Sequence, residues 1–292
     1  MIVNQANLAN LFIGYSAAYQ GAFDSEQTTW NQIATQVTST TRSEKYGWLG
    51  QWPKLREWVG DRVIKNLETH DYAIKNRDFE VTVAVDRNDI EDDAYGIYTP
   101  MMQEMGRSAA THPDELVYGL LRDGFELPCY DGQPFFDADH PVGNKTFSNT
   151  QAGSRAPWFL MDTSRGLKPL IYQIRKPYKF ISLVREEDPN VFYKRQYVYG
   201  VDGRSNVGFG FWQMAFGSKA ELNKDNFMAA RAGMSKLCSP EGRLLAIRPK
   251  ILLVGPSNER QALELIKAER NESGATNVLK DMVEVVVSNY LE

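Results

Sequence analysis

The sequence predicts an α+β protein, and three stretches carry that reading. Between Asp71 and Asp86 apolar residues recur at alternate positions (Tyr72, Ile74, Phe79, Val81, Val83 and Val85), the period of a half-buried strand. The pattern stops at Asp86, and Asp89, Glu91, Asp92 and Asp93 then crowd the head of a long helix. Carboxylates are favoured there because they face unpaired N–H groups and the positive end of the helix dipole. From Trp158 to Lys219 the chain reads as β, and beyond residue 220 as helices alternating with strands.

Taken in order, residues 3–23 predict an amphipathic helix. Leu8, Leu11, Phe12, Tyr15 and Tyr19 lie near one face, with Asn4 or Asn7 as cap. The helix precedes any core-forming segment, so its apolar face is expected against a neighbouring copy. Thr28 to Thr41 is polar and extended. Tyr46, Trp48, Trp52 and Trp58 then crowd a segment broken by Gly47, Gly50, Pro53 and Gly60. Such rings either anchor an interface, as Trp and Tyr commonly do, or form a small aromatic core within the chain.

A long helix is expected from Asn88 to Arg122, carrying Ile90, Ile97, Met101, Met105, Leu116, Leu120 and Leu121. Pro100 and Pro113 each remove a backbone donor and crowd the preceding turn, so a kink or split is expected near His112-Pro113. Gly124 is a C-cap. Tyr130-Asp131-Gly132-Gln133 is a turn, and Asp137 to Gly153 reads as a polar, mobile loop. Val191 to Tyr199 alternates as a strand, and the Gly-rich stretch from Val201 carries Phe209, Phe211, Trp212 and Phe216. A helix over 224–237, a strand over 251–254, a helix over 258–270 and a strand over 283–287 complete the chain.

Composition narrows the function. Thirty-three Lys and Arg against 37 Asp and Glu leave a formal charge of −4, whereas proteins that grip nucleic acid usually carry a basic surplus. The nearest basic patch, Arg165, Lys168, Arg175, Lys176 and Lys179, is followed by Glu186, Glu187 and Asp188 and reads as ordinary solvated surface. Cys129 and Cys238 have no metal-ligand spacing and read as two buried thiols in a reducing compartment. The N-terminus lacks the features of a signal peptide, and no segment approaches the length of a membrane span. A soluble product made in the cytoplasm is expected.

Catalytic motifs are weak. Asp137-Ala-Asp139-His140 could place three ligands near a cation, but Asp followed by His-Pro is common turn chemistry and no second ligand cluster is visible. Asp92 and Asp93, adjacent on a helix, point about 100° apart and form no carboxylate pair. Gly208-x-Gly210 lacks the third glycine of a dinucleotide fingerprint. Ser257, in Gly-Pro-Ser-Asn-Glu, resembles a helix cap and not a nucleophile elbow.

Five segments together carry a resemblance. They are Y-G-W-L-G-Q-W-P-K-L-R-E-W-V-G-D-R at 46–62, V-D-R-N-D-I-E-D-D at 85–93, H-P-D-E-L-V-Y at 112–118, C-Y-D-G-Q-P-F-F-D-A-D-H-P at 129–141 and Y-G-V-D-G-R-S-N-V-G-F-G-F-W-Q at 199–213. With these the chain resembles the Mu-like bacteriophage major head subunit family over nearly its whole length. The resemblance implies an HK97-like shell fold: an N-arm over 1–35, an extended β-hairpin loop over 36–86, and a peripheral domain over 87–219 whose spine helix covers 87–124. An axial α/β domain over 220–292 completes it. In many shell proteins the axial segment precedes the last peripheral strands, so a permuted order is expected, with 158–217 as those strands. The implied function is a structural subunit, neither enzyme nor cofactor binder, assembling as hexamers and pentamers into an icosahedral virion shell around double-stranded DNA. Expected partners are a scaffold protein, a maturation protease and a portal, with weak non-specific contact to packaged DNA and no membrane. Trp48, Trp52 and Trp58 are candidate inter-subunit anchors, and Arg56, Glu57, Asp61 and Arg62 candidate inter-subunit ion pairs. The alternatives are a tail-tube or connector ring protein, or a metal-dependent hydrolase using Asp137, Asp139 and His140.

Overall fold

Two separate sheets organise the chain, and each draws strands from distant parts of the sequence. A computed structural model describes residues 4–50, 52, 71–92, 94–270 and 274–292. Helix α1 (Gln5–Ser25) is capped by Asn4, whose side chain accepts the Asn7 N–H at 2.9 Å. The short helix α2 (Trp30–Ile33) runs into strand β1 (Ala34–Thr38), followed by β2 (Ser43–Lys45), β3 (Ala73–Lys75) and β4 (Arg77–Asp86). Helix α3 (Arg87–Glu91) and a 3-10 turn lead into α4 (Thr99–Arg122). Then come β5 (His140–Val142), β6 (Lys145–Phe147), β7 (Thr150–Gln151), β8 (Trp158–Met161), β9 (Leu170–Leu183), α5 (Pro189–Lys194), β10 (Gln196–Phe209) and β11 (Ala215–Ser218). Helix α6 (Lys224–Ser235), β12 (Ile251–Val254), α7 (Pro256–Ile266) and β13 (Glu284–Val287) close the chain.

The first sheet has the order β1-β9-β10-β4, with β1 parallel to β9 and the other pairs antiparallel. The second has the order β13-β12-β8-β11-β7. Its inner strands, Trp158-Phe-Leu-Met161 and Ile251-Leu-Leu-Val254, are buried at every residue. A strand covered on both faces shows a continuous apolar run in place of alternation. One buried cluster surrounds this second sheet and reaches Val117, Tyr118 and Leu121 of α4. A smaller one joins α1, the start of α4 and the far half of the first sheet.

Several expectations are corrected. The strand over 71–86 is two strands, because the buried side changes between Ile74 and Phe79, and Asn76 lies buried at the break. The Asn76 amide donates to Ser39 Oγ at 2.8 Å and to the Thr41 carbonyl at 2.9 Å. The long helix divides before Pro100, not at Pro113. Pro100 occupies the first turn of α4, where its missing N–H would have had no partner, while Pro113 sits on the buried face of an unbroken helix. Ile97 and Met101 are exposed; Met102, Met105, Ala109, Val117 and Leu121 form the inner face. Residues 189–194 are helix α5, started by Pro189 at its head, and not strand.

The N-terminal helix packs on its own chain. Tyr19 stacks on Phe180 with ring centroids 5.2 Å apart, and Tyr15 meets Tyr199 edge-on at 5.1 Å. The loop from Asp137 to Gly153 is pinned by Asn149, which is fully buried and donates to the Phe135 carbonyl at 2.8 Å. Finally, 158–217 is not one block. Its ends, β8 and β11, pair with each other and β8 with β12, while only the interior strands β9 and β10 join β4. The second sheet therefore draws strands from both sides of the expected 219/220 boundary.

Candidate functional site

The segment expected to carry inter-subunit contacts lies in sequence between β2 and β3. Arg56, Glu57, Trp58, Asp61 and Arg62 lie outside the described residues. Both ends of the segment are firmly held. Strands β2 and β3 pair antiparallel, Ser43 opposite Lys75 and Lys45 opposite Ala73. Within β2, Glu44 Oε1 accepts the Thr40 and Thr41 N–H groups at 2.8 and 3.0 Å and the Ser39 hydroxyl at 2.9 Å. These backbone hydrogen bonds, Thr40 first, hold its carboxyl down at about 2. Beneath the pair lies fully buried Gln173 of β9. Its carbonyl oxygen accepts the Tyr46 hydroxyl at 2.8 Å, and its amide donates to Asn76 Oδ1 at 2.8 Å and the Ile74 carbonyl at 3.1 Å.

Trp48 and Trp52 meet on one ring. Phe211 lies 5.9 Å from Trp48 and 4.3 Å from Trp52, centroid to centroid, and the Arg165 guanidinium sits 4.8 Å over Trp52. Trp52 is partly covered, while Trp48 is 44% exposed. Arg165, expected to be merely solvated, therefore helps to fix the aromatic seat at the loop's base.

A second surface is absent from the sequence expectations. At the far end of the first sheet, Phe192 and Tyr193 are 71% and 79% exposed, and Ile181 and Leu183 also face outward. Single exposed apolar residues need no explanation, whereas several at one outer end are uncommon on a monomer. The Asp188-Pro189 helix start was the available signal; the alternation of 191–199 masked it.

His140 does not gather Asp137 and Asp139. Its Nδ1 lies 2.8 Å from Asp131 Oδ2, the Cys129 thiol donates to Asp131 Oδ1 at 3.1 Å, and the ring stacks on Trp212 at 3.9 Å. Burial, with the neighbouring Asp131 charge behind it, pushes the Cys129 thiol well above its ordinary range, so it is no nucleophile.

Comparison with known proteins identifies the family. The chain matches the "Procapsid of bacteriophage JBD30" chain with a TM-score of 0.87 and 46% identity, covering 99% of this chain and 100% of that one. It matches the "Bacteriophage JBD30 capsid" chain with a TM-score of 0.82 and 35% identity, with full coverage of both. The fold is thus that of an HK97-like phage capsid protein, an α+β subunit of a homo-oligomeric shell. The family model "Mu-like prophage major head subunit gpT" matches residues 8–291. The "Major capsid protein" of Escherichia phage Mu is 41% identical over 305 residues, spanning 100% of each chain. The chain belongs to the Mu-like prophage major head subunit family. It is a structural component of the virion and not an enzyme, which removes the tail-component and hydrolase alternatives.

Proposed function

We propose that this subunit forms hexamers and pentamers of an icosahedral shell around double-stranded DNA, joined through the segment between β2 and β3. The observation that carries this reading is the rigid base of that segment. The Glu44 clamp, the Gln173 network and the seat of Trp52 on Phe211 fix both its ends, so contacts made by its tip are presented from a defined position. Trp58 and exposed Trp48 act as anchors on a neighbouring copy, with Arg56, Glu57, Asp61 and Arg62 as ion-pair partners, worth little where exposed and more where desolvated. Many weak contacts acting together close the shell. The extended loop falls within 36–86, the spine helix within 87–124, and the α/β unit near the local symmetry axis is built on 220–292 with β8 and β11. Scaffold, maturation protease and portal act during assembly, and the mild acidity suits a wall that holds packaged DNA only weakly.

Negative-stain electron microscopy tests this reading, with the chain co-expressed with its scaffold. Closed, near-spherical particles are expected from the wild type, and soluble subunits without shells from Trp58→Ala. Normal particles from Trp58→Ala would remove the anchor assignment, and rings or monomers alone from the wild type would remove the icosahedral one.

A further inference from the structure

We propose that Cys129, Asp131 and His140 form a zinc-type divalent metal site that ties the 129–133 turn to the start of β5. This goes beyond shell building and uses none of the inter-subunit candidates. The Cys129 sulfur, an Asp131 oxygen and a His140 ring nitrogen all lie within 4.8 Å of one another. A soft thiolate with an imidazole and a carboxylate is a donor set that suits zinc and its neighbours in the transition series, not magnesium or calcium.

The backbone already presents these groups. The Cys129 N–H donates to the Gln133 carbonyl at 2.8 Å, the Gly132 N–H donates to the Cys129 carbonyl at 3.1 Å, and Gly132 takes φ +84°. That tight turn puts Cys129 and Asp131 on one side, facing His140 at the start of β5. With tetrahedral bonds of about 2.0–2.3 Å, ligand atoms stand roughly 3.3–3.6 Å apart. His140 Nδ1 lies 2.8 Å from Asp131 Oδ2 and the Cys129 sulfur 3.1 Å from Asp131 Oδ1, so small side-chain rotations are needed to bring the thiol and the imidazole onto one ion with the carboxylate.

Charge and burial favour an ion here. The thiol is 5% exposed, the Asp131 side chain 8% and His140 0%. A 2+ ion with one thiolate and one carboxylate leaves the ligand set neutral, which suits a buried position. Binding would release the thiol proton of Cys129 to solvent, and with Nδ1 on the metal the imidazole would carry its proton on Nε2. Nε2 is buried without a hydrogen-bond partner among the described residues, so that tautomer leaves an unpaired N–H whose cost the metal bond must offset. The nearby strands β5 and β6 are only three residues long, so a metal cross-link would add to a region with little ladder of its own.

The test is cobalt(II) titration of the full-length wild-type subunit under a phosphine reductant. A near-ultraviolet thiolate-to-cobalt band with visible d–d bands, saturating near about one equivalent and displaced by zinc(II), is expected. Cys238→Ser should keep the band, which leaves Cys129 as the thiolate, and Cys129→Ser should lose it. Absence of the band in the wild type would overturn the proposal whether or not the Cys129 variant folds, as would its loss in a folded Cys238→Ser.

Discussion

Gly106 of α4 lies directly against the backbone carbonyl of Tyr19 in α1, so closely that a Cβ at that position would overlap it. The two helices meet backbone to backbone, with the Ala22 side chain next in line. Gly106→Ala must therefore push α1 outward and loosen the stacked rings of Tyr19 and Phe180. A loss of about 2 kcal/mol in urea unfolding is expected. Gly119→Ala on the same helix, where nothing lies within 4 Å, should be neutral or stabilising.

Asp114 secures the link after α1. Its carboxylate accepts the Trp30 N–H at 2.7 Å and the Thr29 N–H at 3.1 Å. Asp114→Ala leaves both donors without that acceptor and should cost about 2 kcal/mol, read from the denaturant midpoint. Asp114→Asn keeps one acceptor oxygen and should recover part of the loss.

Gln173→Leu is expected to damage the loop base more than its near-equal volume suggests. It deprives the Tyr46 hydroxyl, the Asn76 side-chain oxygen and the Ile74 carbonyl of a partner in a fully buried place. A cost of about 3 kcal/mol is expected, with faster proteolysis of residues 46–72 as a second readout.

The pH response has a local source at His112, whose Nδ1 lies 2.6 Å from the Tyr178 hydroxyl and whose ring packs 4.2 Å from Phe79. Burial, then the charge of Arg77, holds its pKa below 6.5. Between that lowered value and 6.5 the unfolded chain binds more protons than the folded one. Stability therefore rises with pH across the window and is lost as pH falls through it. His112→Gln should flatten that part of a stability-against-pH curve.

Local patterns in the sequence were reliable where the pattern is set by nearest neighbours. Asp86 caps α3 by accepting the Asn88 N–H at 2.8 Å, Asn4 caps α1, and β12, α7 and β13 follow the predicted order. Pairing between distant residues was not legible. Nothing in Trp158-Phe-Leu-Met161 announces a partner at Ile251–Val254, and Asn76 reads as an interruption only once Gln173 stands beneath it. At the candidate site, the tryptophans were visible as interface-type residues, but their shared seat on Phe211 depends on a fold contact across more than 150 positions. His140 was singled out with Asp137 and Asp139 because they adjoin it in sequence, whereas the turn at Gly132 delivers Asp131 and Cys129.

Strand β8 has consequences during synthesis. Its neighbours in the sheet are β11 and β12, so when Trp158–Met161 leaves the ribosome, one flank must wait for residues 215–218 and the other for 251–254. At roughly 5–20 residues per second, an apolar four-residue ribbon stays open on one edge for several seconds. β13 follows some 30 residues after β12. A nascent chain thus holds one edge of β8 unpaired until β12 emerges, and chains ending before β12 will be prone to aggregate whether or not the first sheet has formed.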